Sequence, residues 1–303
     1  MTGAPAEADT ESVPVRRVHP LRGVVLFLCA LFVFACMDSI TKYLTAHYNV
    51  PLVVAVRYIV HCLLMVIVLG PLQGRALVQT NRTGLVLLRG ACLTAMSLLI
   101  ATALSRMPVA EVTAITFVSP IVVVLLAGPL LSERIGAVAW IAAVGGFLGV
   151  LLIVRPGAGL DPFGVACCVL GIAGSAAYQL LSRVLAHTER AIAQLFYTAL
   201  IGAICFGLFL PWSWGGETPD ALTLALFAGT GILAGTGHLL FTMAYRDTTA
   251  SVLAPLNYAQ LLWAGLLGWL VFEHVPDALS IAGMGIVAVS GALAAIPPRR
   301  RTA

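Results

Sequence analysis

The chain has 303 residues, of which 60% are hydrophobic and only 10% charged, with a mean hydropathy of +1.00 and a formal net charge of +4. A soluble domain carries roughly 25% charged residues, so this composition excludes a water-exposed globular surface and places most of the chain against lipid. The apolar runs are continuous and about twenty residues long, which fits spanning helices rather than the alternating ten-residue segments of a barrel.

Residues 1–20 are polar and aperiodic and are expected to form a disordered cytoplasmic tail. The run Leu21 to Leu44 is too long for a signal-peptide core and lacks a small-residue cleavage site, so it reads as a span. Further spans are expected near 50–70, 84–105, 109–131, 136–154, 162–182, 191–211, 221–244, 249–271 and 278–296, ten in all. Gly70-Pro71, Met107-Pro108, Arg155-Pro156-Gly157, Asp161-Pro162, the Pro211 to Pro219 stretch and Val275-Pro276-Asp277 separate them. Residues 298–303 form a basic tail. The predicted fold is an all-α integral membrane protein.

Arginines collect on alternate connections: Arg16, Arg17 and Arg22; Arg75, Arg82 and Arg89; Arg134; Arg183 and Arg190; Arg246; and Arg299, Arg300 and Arg301. The opposite connections hold only Lys42, Arg106 and Arg155, with Arg57 inside a span. The positive-inside rule then places both termini in the cytoplasm. No nucleic-acid partner is implied by this distribution.

The segment Val109 to Pro156 returns in diluted form about 140 residues later. With Ala110 laid on Ala250, Val112/Val252, Gly128/Gly268, Glu133/Glu273 and Gly145/Gly285 coincide, and a second offset aligns Gly23/Gly164, Ala35/Ala176 and Leu44/Leu185. Residues 21–156 and 157–297 are therefore expected to be two five-helix copies. Five is odd, so the copies are inverted. Secondary transporters use that arrangement to hold a small-molecule site near the midplane between the copies.

Ionisable groups within spans are costly and are functional candidates by default. Asp38, Lys42, Arg57 and Glu111 are expected in the outer half of the membrane as one charged cluster, with Asp38 and Lys42 one helical turn apart and able to pair. Asp38 or Glu111 could carry a coupling proton while Arg57 grips an anionic group; the plainer alternative is that the set only fixes helix packing. Thr113, Thr116 and Ser119 share one helical face, as Asn257 and Gln260 do. Pro120 and Pro255 are expected to free backbone carbonyls within the fourth and ninth spans. Tyr178, Gln179, Tyr197, Tyr258 and Trp263 offer rings and polar groups suited to a planar substrate. His61 and His238 have no partner at ligand spacing, the seven cysteines all lie within apolar runs, and neither a metal nor another cofactor is implied.

The Met37-Asp38-Ser39-Ile40-Thr41-Lys42 end of the first span, Arg57 early in the second, Pro120 followed by Leu131-Ser132-Glu133-Arg134, and the Phe272-Glu273-His274 echo resemble the EamA group of the drug/metabolite transporter superfamily. The resemblance covers about residues 21 to 297. It implies a bacterial-type inner-membrane carrier for a small organic metabolite or drug, with cargo ranging from amino acids to compounds such as riboflavin or S-adenosylmethionine. The family often has proline where this chain has Gln260, which implies a displaced kink at Pro255 and a further polar group toward the cavity. A homodimer is compatible with this plan. Two rival readings are a non-transporting accessory subunit and a membrane-embedded enzyme, although no paired-aspartate or H-E-x-x-H constellation is present.

Overall fold

Lipid offers the backbone no hydrogen-bond partners, so an apolar run must satisfy its amides internally, and a helix does this within one segment. The computed structural model describes residues 20–119, 121–122, 126, 137–154, 159–185, 188–214, 218–247, 256–257 and 259–294. Their helices are α1 (Pro20–Thr45), α2 (Val50–Leu64), α3 (Thr83–Arg106), α4 (Val109–Thr116), α5 (Ala137–Val154), α6 (Pro162–Leu185), α7 (Ala191–Ser213), α8 (Ala221–Asp247), α9 (Ala259–Phe272) and α10 (Ala278–Ala294). No strand occurs among the described residues.

Six helical segments among the described residues are long and apolar enough to cross a membrane: Leu21–Thr45, Val50–Leu77, Thr83–Arg106, Pro162–Ser182, Ala191–Ser213 and Ala221–Phe241. Shorter apolar helices include Ala259–Phe272 and Ala278–Ser290. Trp140, Phe147, Leu262 and Trp269 stand outward and exposed, as lipid-facing side chains do.

The helix ends explain several of the scarce acids. Asp161, Asp220 and Asp277 accept the amide N–H of Gly164, Thr223 and Ser280 at 2.7, 2.8 and 2.8 Å, capping α6, α8 and α10. α2 runs on into a π-helical stretch, Met65–Leu69, ahead of Pro71, which has no N–H to offer the preceding turn. α9 ends on Glu273, at φ 54, whose N–H bonds the carbonyl of Trp269 at 3.0 Å. That left-handed closing position is usually glycine. Glu273 thus ends its helix through its backbone, and its carboxylate is exposed.

Small residues set the packing. A Cβ on Gly283 would lie 2.6 Å from the carbonyl oxygen of Gly149, so α5 and α10 touch backbone to backbone there. A Cβ on Gly145 would meet the Ser290 hydroxyl, whereas Gly285, aligned with it in the sequence, has open space around it. Gly171 meets Ile100 of α3, while Gly231 and Gly235 meet Val60 and Leu64 of α2. These glycines pack one matched segment against the other.

The contacts also give helix directions. Phe27 meets Phe241, Phe34 meets His238 and Tyr48 meets Phe227, so α1 and α8 run antiparallel. Arg57 and His61 of α2 meet Gly231 and Gly235 of α8 in rising order, so these two run parallel. Met107, Ile100 and Met96 meet Gly164, Gly171 and Gly174, so α3 and α6 are antiparallel. Lys42 at the end of α1 reaches the end of α3, making those two parallel. Consequently α1 and α6 point in opposite directions.

Candidate functional site

The polar interior groups form two sets. At the end where α1 and α3 finish, Lys42 Nζ donates to the carbonyls of Leu104 and Met107 at 3.1 and 2.8 Å and stands 5.6 Å from the Phe272 ring centroid. Those carbonyls lie at the C-terminal end of α3, where the helix dipole favours a cation. The expected Asp38–Lys42 pair is therefore not made. The free carbonyls of α3 offer Lys42 two acceptors that Asp38, one turn back, does not match.

Glu111, in the first turn of α4, is 4% exposed, and its Oε1 lies 3.0 Å from His274 Nε2, just beyond α9. Its Oε2 is buried with no hydrogen-bond partner among the described residues. Lys42 is close enough to act on this carboxylate electrostatically. Glu111 and His274 line a cavity of about 300 Å³ with Arg106, Leu160 and Asp277. Arg106 is 3.4 Å from Asp161 and covers the Phe163 ring at 4.9 Å.

The second set lies deeper, between α1, α2, α3, α6 and α8. Asp38 on α1 is acted on by Arg57 of α2, which is 7% exposed. His61, one turn beyond Arg57, stacks on His238 of α8 with ring centroids 6.2 Å apart and planes 8° apart. Phe34 meets the His238 ring edge-on at 5.1 Å. Both Arg57 and Arg89 reach His238 electrostatically. The expected single cluster of Asp38, Lys42, Arg57 and Glu111 is thus divided, Asp38 with Arg57 and Lys42 with Glu111.

Arg89 was not foreseen. Grouped by sequence with the connection residues Arg75 and Arg82, it instead lies inside α3 at 6% exposure. Its guanidinium donates to Ser182 Oγ at 2.6 Å, Tyr178 Oη at 2.7 Å, Thr198 Oγ1 at 3.2 Å and the Gln194 carbonyl at 3.4 Å, and lies 4.3 Å from the Tyr178 ring centroid. Its position inside the expected span 84–105 was the available signal. Glu189 was also missed: its carboxylate accepts the N–H groups of Asn81 and Arg82, at 2.6 to 3.0 Å, where α3 begins. A buried acid on a helix N-terminus satisfies otherwise free amides.

The remaining sequence candidates divide. Thr116 bonds the Thr113 carbonyl of its own helix at 2.9 Å, and Tyr178 is held by Arg89, so neither hydroxyl is idle. Ser119 joins Ser175 at 2.8 Å and Gln179 at 3.1 Å, again across the halves. Asn257 and Gln260 are half-buried at the start of α9. Pro120, Pro255 and Tyr258 lie outside the described residues. Among the described residues no three His, Cys, Asp or Glu side chains converge as a metal site.

A model of the EamA-like transporter family matches this chain twice, over residues 21–155 and 162–296. A riboflavin transporter of Vibrio cholerae serotype O1 is 28% identical over 279 residues, spanning 90% of this chain and 92% of that protein. The pseudopaline exporter CntI of Pseudomonas aeruginosa is 27% identical over 275 residues, spanning 88% and 94%. An S-adenosylmethionine uptake transporter of Rickettsia conorii is 26% identical over 273 residues, spanning 88% and 90%. One solved crystal structure shares the fold, with a TM-score of 0.63 at 18% identity over 90% of this chain and 96% of the other. With both matches together covering nearly all of its apolar length, the chain belongs to the EamA-like transporter family.

Proposed function

We propose that the protein is a secondary transporter that moves a small organic metabolite across a bacterial inner membrane by alternating access. The observation that carries this reading is the row of polar groups between the two matched segments, in which Arg57, His61 and Arg89 are buried and Asp38 and His238 half-buried. Burying such groups in a membrane protein is costly unless they serve a pathway or a site. Relatives named for riboflavin, pseudopaline and S-adenosylmethionine support a metabolite-sized cargo.

In this reading the chain crosses the membrane ten times as two inverted five-helix copies, residues 21–156 and 157–297, with both termini in the cytoplasm. The opposite directions of α1 and α6 support the inversion. The packing pairs support it too, since exchanging the halves turns α1·α8 into α6·α3 and α2·α8 into α7·α3, all of which are in contact. Asp38 and Glu111 are the proton-coupling candidates, and Arg57, Asn257 and Gln260, with Tyr258 from the sequence, are the cargo-binding candidates. Glu111–His274 closes one end, while Glu189 on the start of α3 closes the other.

The test is transport by the purified full chain in proteoliposomes, with riboflavin, S-adenosylmethionine and amino acids offered under an imposed pH gradient. Saturable movement dependent on Asp38 or Glu111 is the expected result. Movement that ignores the gradient in wild type would remove the proton role, and no movement of any compound would favour the accessory-subunit reading.

A further inference from the structure

The buried charges between the halves do not cancel. A guanidinium stays protonated at any physiological pH, and Arg57 and Arg89 are both almost fully buried. Asp38 is the carboxylate acting on Arg57, and every hydrogen-bond partner of Arg89 is neutral. Stacked between them, His61 and His238 add no negative charge in either protonation state. Glu111 belongs to the separate set with Lys42 and His274. Two fixed cations therefore face one carboxylate among the described residues.

The two arginines differ in how they are held. Arg89 makes four hydrogen bonds to α6 and α7, which engage four of its five N–H donors. Arg57 makes no hydrogen bond with any described residue, and its guanidinium carbon lies 5.5 Å from the Tyr58 ring centroid. Water can satisfy idle donors, but it brings no counter-charge. A buried guanidinium with idle donors and surplus positive charge matches a carboxylate or phosphate, which accepts two parallel N–H bonds.

We infer that the cargo carries an oxyanion group, a carboxylate or a phosphate, that docks on Arg57 in competition with Asp38. The inference rests on the transporter reading of this site. Asp38 holds Arg57 electrostatically when the site is empty, and the arriving oxyanion takes its place. Arg89 supplies the fixed second charge without leaving its neutral partners.

The test uses the full chain in an uncharged detergent and follows its thermal unfolding with four probes that share one ring: benzoate, phenyl phosphate, benzamide and benzylammonium. One or both anions should raise the midpoint saturably, the responding anion identifying the group, while benzamide and benzylammonium leave it unchanged. Arg57→Gln should weaken the anion response at least about tenfold, and Asp38→Asn, which removes the competitor, should strengthen it. Arg57→Lys keeps a charge but not the fork, so it should retain a weaker response and carries the test if Arg57→Gln does not fold. An anion response indifferent to Arg57, a response to benzylammonium instead, or none to either anion overturns the assignment. Proteoliposomes that carry only neutral or cationic compounds would overturn it while leaving the transporter reading intact. Arg57-dependent anion binding without transport would do the reverse.

Discussion

Glu111 Oε1 and His274 Nε2 meet at 3.0 Å, although one opens α4 in the first matched segment and the other follows α9 in the second. His274 directly follows Glu273, whose left-handed backbone ends α9. Removing one partner leaves a buried polar group unsatisfied, which costs about 1–3 kcal/mol. Glu111→Ala and His274→Ala should each destabilise the protein, and the double variant should lose less than their sum. Thermal unfolding of the three variants measures the coupling, expected at about 1 kcal/mol; strict additivity would show that the pair joins nothing.

Arg89 ties α3 to α6 and α7 through Ser182, Tyr178, Thr198 and Gln194. Arg89→Ala should lower stability by about 3 kcal/mol. Arg89→Lys should recover only part of this, because an ammonium cannot span the same fork of acceptors. Yield and unfolding midpoint in detergent check both; a fully rescued Lys variant would mean that charge alone matters.

Gly149 and Gly283 bring the backbones of α5 and α10 together, whereas Gly285 faces open space. Gly283→Ala should separate the helices and cost on the order of 1–3 kcal/mol. Gly285→Ala should be neutral or slightly stabilising, since alanine is the better helix former. Equal effects at the two positions would refute the backbone contact.

Asp220 lies outside the apolar helices, and its bonds with Thr223 hold its carboxyl below the usual carboxylate value. A depressed folded pKa means that the cap is fully present above the unfolded value of about 3.9 and is lost as pH falls through the lower folded value. Hydrogen exchange at the Thr223 amide should therefore show falling protection in acid, after correction for intrinsic rates. Asp220→Asn keeps an acceptor without the carboxyl titration and should abolish that pH dependence.

Sequence patterns set by one chain segment were legible, while those set by two segments were not. The six long apolar helices followed from uninterrupted apolar runs, and Arg57 stood out because a charge in such a run is conspicuous. Arg89 was equally deep but sat near two connection arginines, and only α6 and α7 show what it does. Lys42 had the right spacing for Asp38, yet the carbonyls ending α3 claim it. Thr116 spends its hydroxyl on its own helix, an outcome that residue spacing cannot distinguish from a cavity contact. His61 and His238 looked isolated because their stacking depends on how α2 and α8 pack.

In the transporter reading, one site between the halves opens to each side of the membrane in turn. Ser39 is 5% exposed, its hydroxyl has no partner among the described residues, and it adjoins Asp38, which makes it a suitable reporter. A Ser39→Cys variant without the native cysteines should be labelled by a membrane-impermeant maleimide in both right-side-out and inside-out vesicles. Labelling from one side only, or from neither side in protein that is folded, would contradict alternating access through this site.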